Sequence, residues 1–315
     1  MTRHVVVLAG GLSHEREVSL RSGSRLHEAL QGRGLEVTQR DTDAELIGWL
    51  TKHRPDAAIV TLHGSRGENG AIQSILEMIG VPYVGTVSTN CRLSYEKNIA
   101  KNLVRRAGFA TPRWISLSHS TFRDLGAAAL MELLVGHLGL PLMVKPQHGG
   151  SALGTGSVRT ADELPAALVG AFAYGEIALV EQFVDGTEIA ITVVEDGNVP
   201  SALPAVEIAP RSGVFDYESR YTAGLTTYFT PARLSDDAAV AAAELAVGAH
   251  RALGLRDVSR TDAVVADDGT VQFLEVNVSP GLTETSLLPM SVHAAGREVG
   301  GVYAALVEQA IRRGA

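Results

Sequence analysis

The chain has 315 residues, with 27 Lys+Arg against 35 Asp+Glu and a formal charge of −8 at pH 7. Such a length makes two or three compact units, and 45% hydrophobic with 20% charged residues excludes a disordered or collagen-like chain. An acidic balance with no block of like charge speaks against nucleic acid or an anionic membrane surface as partner, because both require a basic footprint. The single cysteine, Cys91, can form neither an intrachain disulfide nor a Cys-based zinc site. The first apolar run, residues 5–9, is too short for a signal-peptide core, and no stretch approaches the roughly 20 apolar residues of a membrane span, so the expected compartment is the cytoplasm.

Residues 5–8 (Val-Val-Val-Leu) read as a buried strand, 17–31 as a helix, and 36–38 and 57–60 as further strands. Apolar strands separated by helices predict a parallel sheet covered on both faces. Ligands bind such sheets beyond the carboxyl ends of the strands. Two glycine-rich loops lie there: Gly10-Gly11-Leu12-Ser13-His14-Glu15 after the first strand and His63-Gly64-Ser65-Arg66-Gly67-Glu68-Asn69-Gly70 after the third. Next come a helix over 97–107, a strand after Thr111-Pro112, a helix over 121–138, and a strand over 142–145 that runs into the glycine-rich loop 149–156. This pattern describes a small α+β unit. From residue 178 onward strands dominate, with alternation over 188–193 and a hairpin across Asp267-Asp268-Gly269. Residues 210–231 carry no clean period and are expected to form a long loop, the kind that serves enzymes as a lid. Three units are expected: a parallel α/β domain over 1–92, a central unit over 93–178, and a C-terminal unit over 179–315 that contains the loop.

Asp262, Glu275 and Asn277 fall on the two strands of that hairpin, and the two-residue step from Glu275 to Asn277 puts both side chains on one face. Hard oxygens converging in this way suit magnesium shared with substrate phosphates; a solvated hairpin with scattered carboxylates is the bland alternative. Lys145 ends an apolar strand beside the loop 149–156, where backbone N–H groups can meet phosphate oxygens and the lysine adds a point charge. Neither a Walker A sequence nor a dinucleotide-binding Gly-x-Gly-x-x-Gly is present. With Lys97 on the preceding helix, and Glu181 and Glu188 flanking an apolar strand edge, the arrangement describes an ATP cleft. Alone, His63 reads as a loop histidine bonded to a carbonyl. Ser286 alone reads as the N-cap of a helix starting at Leu287.

Five segments in register give the chain a resemblance to the D-alanine–D-alanine ligase family of the ATP-grasp superfamily. They are 10–20 (Gly-Gly-Leu-Ser-His-Glu-Arg-Glu-Val-Ser-Leu), 62–70, Val144-Lys145-Pro146 with Gly150-Ser151, 215–221 (Phe-Asp-Tyr-Glu-Ser-Arg-Tyr) and 275–283 (Glu-Val-Asn-Val-Ser-Pro-Gly-Leu-Thr). The resemblance implies an ATP-grasp fold, mixed α/β and α+β, behind an N-terminal parallel-sheet (pre-ATP-grasp) domain. It also implies ligation of two D-alanines through an acyl phosphate for peptidoglycan precursors, in a homodimer using ATP and two magnesium ions, with manganese as a substitute.

Carried over by residue, Glu15 resembles the carboxylate that receives the first D-alanine's ammonium, linked through Ser151 to Tyr221 on the lid, with His63 beside it. Arg260 and the Gly281 N–H resemble the oxyanion donors, and Ser286 with the Leu287 backbone the clamp on the second substrate's carboxylate. Lys97, Lys145, Glu181, Val184, Glu188 and Arg220 resemble the ATP contacts; Asp262, Glu275 and Asn277 resemble the metal ligands. Arg220 stands where the family generally has lysine, Ala152 where a second serine is commoner, His148 where an acidic or other residue is more usual, and Val278 for a frequent threonine. Two alternatives remain open from the residues: a carboxylate–amine dipeptide ligase with other amino acids, and a non-catalytic nucleotide-binding module, which would be expected to lack Arg260 or a metal carboxylate.

Overall fold

The computed structural model describes residues 2–315 apart from Ser65, Arg66, Ser212, Val214, Asp216, Tyr217, Glu218, Arg220, Tyr221 and Ala223. The first sheet is wholly parallel, in the order β2 (Glu36–Arg40), β1 (His4–Leu8), β3 (Ala57–Val60), β4 (Tyr83–Val84). Val5 to Leu8 are solvent-free because helices cover both faces. On one side Leu26 and Leu30 of α1 (Arg16–Gln31) meet Val5 and Val7. On the other, Leu46 and Leu50 of α2 (Leu46–His53) and Leu76 of α3 (Ala71–Ile79) meet Val6 and Leu8. The two-residue β4 was not legible beforehand, since two residues carry no period.

Helices α4 (Ser88–Tyr95) and α5 (Lys97–Arg106) lead into an antiparallel second sheet. Its order is β5 (Trp114–Ser118), β8 (Ile177–Gln182), β6 (Leu142–Pro146), β7 (Gly156–Val158). The helix expected over 121–138 is two, α6 (His119–Leu125) and α7 (Ala127–Leu138). Gly126, at φ +91°, breaks the run in a conformation that only glycine adopts without strain. With α8 (Leu164–Phe172), these helices bury Leu134, Leu138 and Leu168 against Leu142, Val144 and Val180.

The third sheet runs β12 (Thr226–Phe229), β11 (Val206–Pro210), β9 (Gly186–Asp196), β13 (Val258–Ala266), β14 (Val271–Asn277), with β10 (Val199–Ala202) paired to β9. The expectation of a loop throughout 210–231 is corrected by β12, whose Thr-Thr-Tyr-Phe pairs antiparallel with β11. Phe215 is buried beside Ile208, Ala190 and Leu287, with Tyr228 packed on that cluster. Its β-branched and aromatic residues fit an edge strand, but four residues are too few for periodicity to register. Helix α9 (Asp236–Ala252), capped by the Ser235 hydroxyl on the Ala238 N–H, covers the sheet; α10 (Leu287–Ala294) and α11 (Val299–Arg313) follow. The last helix returns to the beginning of the chain, where Val302, Leu306 and Ala310 share a core with Val5, Val7 and Ile59.

Candidate active site

Two clefts meet at one wall: Gly150, Phe215 and Glu275 line both. The first lies between the second and third sheets and is bounded by Lys97, Lys145, Glu181, Val184, Glu188 and Asp262. Lys145 and Glu181 are diagonal neighbours on β6 and β8, since Lys145 stands opposite Leu179, two residues from Glu181 on the same face. Lys145 Nζ meets Glu181 Oε1 at 2.7 Å, and a second lysine, Lys101 on α5, meets Oε2 at 2.7 Å. Lys101 has no solvent exposure and lies 5.3 Å above the Trp114 ring centroid. Burial pushes its ammonium down to about 8, with Glu181 opposing that fall. Burial works against the charges of Glu181 and Lys145 as well. The two lysines nevertheless hold Glu181 below the usual carboxylate range, and Glu181 with Glu275 and Glu188 holds Lys145 above its ordinary value. Lys97 donates to the Gly149 carbonyl at 2.5 Å and stands 3.4 Å from Glu275.

The second cleft draws on the first and third sheets together with the loop 149–156, and holds Glu15, His63, Ser151, Arg260, Gly281 and Ser286. Glu15 ends a loop that is anchored on both sides: Gly10 N–H donates to Ser19 Oγ (2.8 Å) and Gly11 N–H to Asp41 Oδ1 (2.7 Å), while Arg16 pairs with Asp41 at 2.7 Å. Ser151 donates to Glu15 Oε1 at 2.5 Å from a left-handed conformation, φ +57°. That conformation is costly for a non-glycine residue and is stored characteristically at functional sites. Gly64 leaves room for the carboxylate, because a Cβ there would fall 2.7 Å from Glu15 Oε2.

His63, buried at the end of β3, holds the Ser279 carbonyl through Nδ1 at 3.0 Å. The expected carbonyl bond is therefore present. Nε2 has no hydrogen-bond partner among the described residues. Burial, with the nearby Arg260, lowers the His63 pKa against the opposing pull of Glu15 and the Ser279 carbonyl. A neutral ring donating through Nδ1 leaves the Nε2 lone pair as an unused acceptor on a residue that borders the cleft.

Arg260 and Asp262, two apart on β13, form a fork at 2.7 and 2.8 Å. Asp262 stands opposite Glu275 and Arg260 opposite Asn277, so the predicted hairpin brings the three oxygen-bearing residues together. A bulge between Asp262 and Ala263 shifts the register beyond that pair. Ser279 ties the hairpin's end to the first sheet by accepting at its carbonyl from His63 and donating its hydroxyl to the Val60 carbonyl (3.0 Å); its N–H donates to Asn277 Oδ1 (2.8 Å). Ser286 occupies the N-cap position of α10, but its hydroxyl does not cap: it accepts from the Thr283 N–H (3.0 Å) and pairs with the Thr283 hydroxyl (2.8 Å). Gly281 passes so close that a Cβ would meet Ser286 Oγ at 2.8 Å, and Leu287 begins the helix beside it.

Of the residues expected from sequence, Arg220 and Tyr221 lie outside the described residues. All the others border one of the two clefts. Two residues were missed. Glu68, inside the motif 67–70, borders the second cleft and accepts from the Gly64 N–H (3.2 Å); burial, reinforced by Glu15, pushes its carboxyl up to about 8. Lys101 is the other; a lysine on the helix face four residues after Lys97 was the available signal.

Residues 103–312 match the family model described as D-ala D-ala ligase C-terminus. The chain belongs to the D-alanine–D-alanine ligase family. A D-alanine–D-alanine ligase of Pelotomaculum thermopropionicum is 36% identical over 311 residues, covering 99% of this chain and 98% of the relative. The crystal structure of the Bacillus anthracis D-alanine–D-alanine ligase complexed with ATP superposes with a TM-score of 0.82 at 28% identity, covering 99% and 98% of the two chains. The VanG D-Ala:D-Ser ligase of Enterococcus faecalis gives 0.83 at 26% identity, with 98% and 100% covered. D-alanine–D-alanine ligases are ATP-dependent enzymes on the ATP-grasp fold, and the three sheets described above are that fold with its N-terminal parallel-sheet domain.

Proposed function

We propose that ATP occupies the first cleft and two D-alanines the second, and that they are joined through an acyl phosphate. The observation that carries this is the shared wall: a γ-phosphate leaving the first cleft past Gly150 and Glu275 meets a carboxylate held in the second. Lys97, Lys145 and Arg220 are assigned to the phosphates, and Glu181, Val184 and Glu188 to adenine and ribose. Glu15, oriented by Ser151, receives the first D-alanine's ammonium, and Tyr221, outside the described residues, is assigned to the same subsite. His63 lies beside it. Ser286 and the Leu287 N–H hold the second substrate's carboxylate.

The donors at the shared wall fit magnesium. Asp262 and Glu275 supply carboxylates and Asn277 an amide oxygen, all hard ligands. Because Arg260 already forks onto Asp262 and Ser279 onto Asn277, most of the coordination is left to phosphate and water, as magnesium prefers. Two magnesium ions, or manganese in their place, would be held here and would neutralise phosphate charge.

In the first step the carboxylate oxygen of one D-alanine attacks the γ-phosphorus and ADP leaves. In the second, the other amine attacks the acyl carbonyl, loses its proton, and phosphate departs. Positioning and charge complementarity perform such chemistry without a protein nucleophile. Arg260 and the Gly281 N–H face the oxyanion of the tetrahedral adduct. The acyl phosphate must be kept dry, and the buried Phe215, bordering both clefts ahead of β12, supports a lid role for the segment that begins at Val214. In the same reading the chain works through units 1–92, 93–178 and 179–315, as a cytoplasmic homodimer. Cys91, buried and in no disulfide, fits a reducing compartment.

The test is isotopic. D-alanine labelled with ¹⁸O in its carboxylate should deliver label into released phosphate, with D-alanyl-D-alanine found by mass. Unlabelled phosphate overturns the acyl-phosphate route. Turnover only with other amino or hydroxy acids would make the chain a ligase of different substrates.

A further inference from the structure

Lys101 touches neither cleft, yet it is among the largest fully buried side chains, and its ammonium rests on a carboxylate that the nucleotide cleft depends on. Two ammoniums share Glu181: Lys145 on Oε1 and Lys101 on Oε2, each at 2.7 Å. A lone Lys145–Glu181 pair would be neutral, and in a dry site a one-to-one pair holds its ammonium tightly. With Lys101 present, the set of Lys101, Lys145 and Glu181 carries one more positive charge than the lone pair would, set against the Glu188 and Glu275 carboxylates that also act on Lys145. Lys101 is itself out of reach, so that surplus is expressed through Lys145, which is slightly exposed and borders the cleft. Arg105, one turn further along α5, stacks on the same Trp114 ring at 4.8 Å, so the indole fixes the approach of the helix.

We propose that Lys101 is a positioning residue for nucleotide binding: by occupying the far oxygen of Glu181 it frees Lys145 to serve the phosphates. The inference rests on the assignment of ATP to this cleft and adds a residue that never contacts the nucleotide.

The test compares affinities for MgATP and adenosine, measured by calorimetry, in Lys101→Met, Glu181→Gln and the double variant. Their ratio isolates the phosphate-dependent part of binding. Lys101→Met should cut that ratio roughly 10-fold, the order expected for one unit charge several ångströms away in a partly dry site. Adenosine affinity should stay near that of the parent. Glu181→Gln should raise the ratio, and the double variant, again carrying one surplus positive charge, should return it to the parental value. Should Lys101→Met fail to fold, the step from Glu181→Gln to the double variant tests the same charge. A ratio unchanged in Lys101→Met and in the double variant relative to Glu181→Gln, or equal loss of MgATP and adenosine, overturns the proposal and leaves Lys101 a packing residue. A parent protein that binds neither ligand overturns the assignment of the cleft itself, an outcome distinct from either.

Discussion

The two clefts are built by different means. In the cleft proposed for ATP the decisive charges sit on one sheet and the helix packed beside it, and they are paired before any ligand arrives: Lys101 and Lys145 share Glu181, which leaves that set one positive charge in surplus, and Lys97 lies next to Glu275. The cleft proposed for the amino acids is assembled across sheets by hydrogen bonds, from Ser151 to Glu15, His63 to the Ser279 carbonyl and Ser279 to the Val60 carbonyl. It also keeps unspent polar capacity, with His63 Nε2 unpartnered among the described residues and Glu68 inclined to hold its proton at neutral pH. A site that receives a highly charged ligand can be organised by internal ion pairs. A site that must orient two small zwitterions needs polar atoms aimed at them and left available.

That contrast can be broken most severely at the shared wall. Asp262→Asn or Glu275→Gln should lower turnover by about 10²-fold or more in folded protein, the scale of losing one preorganised electrostatic group. Steady-state rates across a magnesium titration check it, and near-normal turnover in both variants would remove the metal assignment. Glu15→Gln should act on one cleft alone. It should raise KM for the first D-alanine by roughly 10- to 150-fold, since a charge-assisted hydrogen bond is worth about 1.5–3 kcal/mol, and leave KM for ATP unchanged. A comparable rise in both constants would mean the clefts are not separable.

Ser286→Ala should sharpen the division further within the amino-acid cleft. KM for the second D-alanine should rise roughly 10-fold, the low end for a hydrogen bond to a charged group because the Leu287 N–H still holds the carboxylate, with the first scarcely altered. The smallest effect concerns pH. Burial keeps folded His63 neutral below its ordinary 6.5, whereas the unfolded chain takes up the proton near that value. The stability contributed by this site is therefore complete above about 6.5 and declines as pH falls toward the lower folded pKa. Denaturant unfolding at pH 7 and pH 5 should show the parent losing more stability than His63→Asn; equal losses would mean that burial does not lower the His63 pKa.

The sequence by itself determined the pieces whose signals are local. Four solid apolar residues from Val5 dictated a doubly covered strand. The Asp-Gly turn and the two-residue step from Glu275 to Asn277 placed three oxygen-bearing side chains on one hairpin, and the glycine-rich loops marked the strand ends where both clefts open. Tertiary structure alone decided what depends on partners distant in the chain. Lys101 reads as one more helix lysine until Glu181 arrives eighty residues later and burial makes its charge consequential. Ser286 has the residue type and place of a cap, yet Thr283 claims its hydroxyl. β12 is ordered by pairing with β11, and the last helix is needed to close the core of the first sheet. Periodicity and turn chemistry act over a few residues, so they are legible in order along the chain. Desolvation, charge pairing and strand docking act through space, and their energies exist only once the fold has brought the groups together.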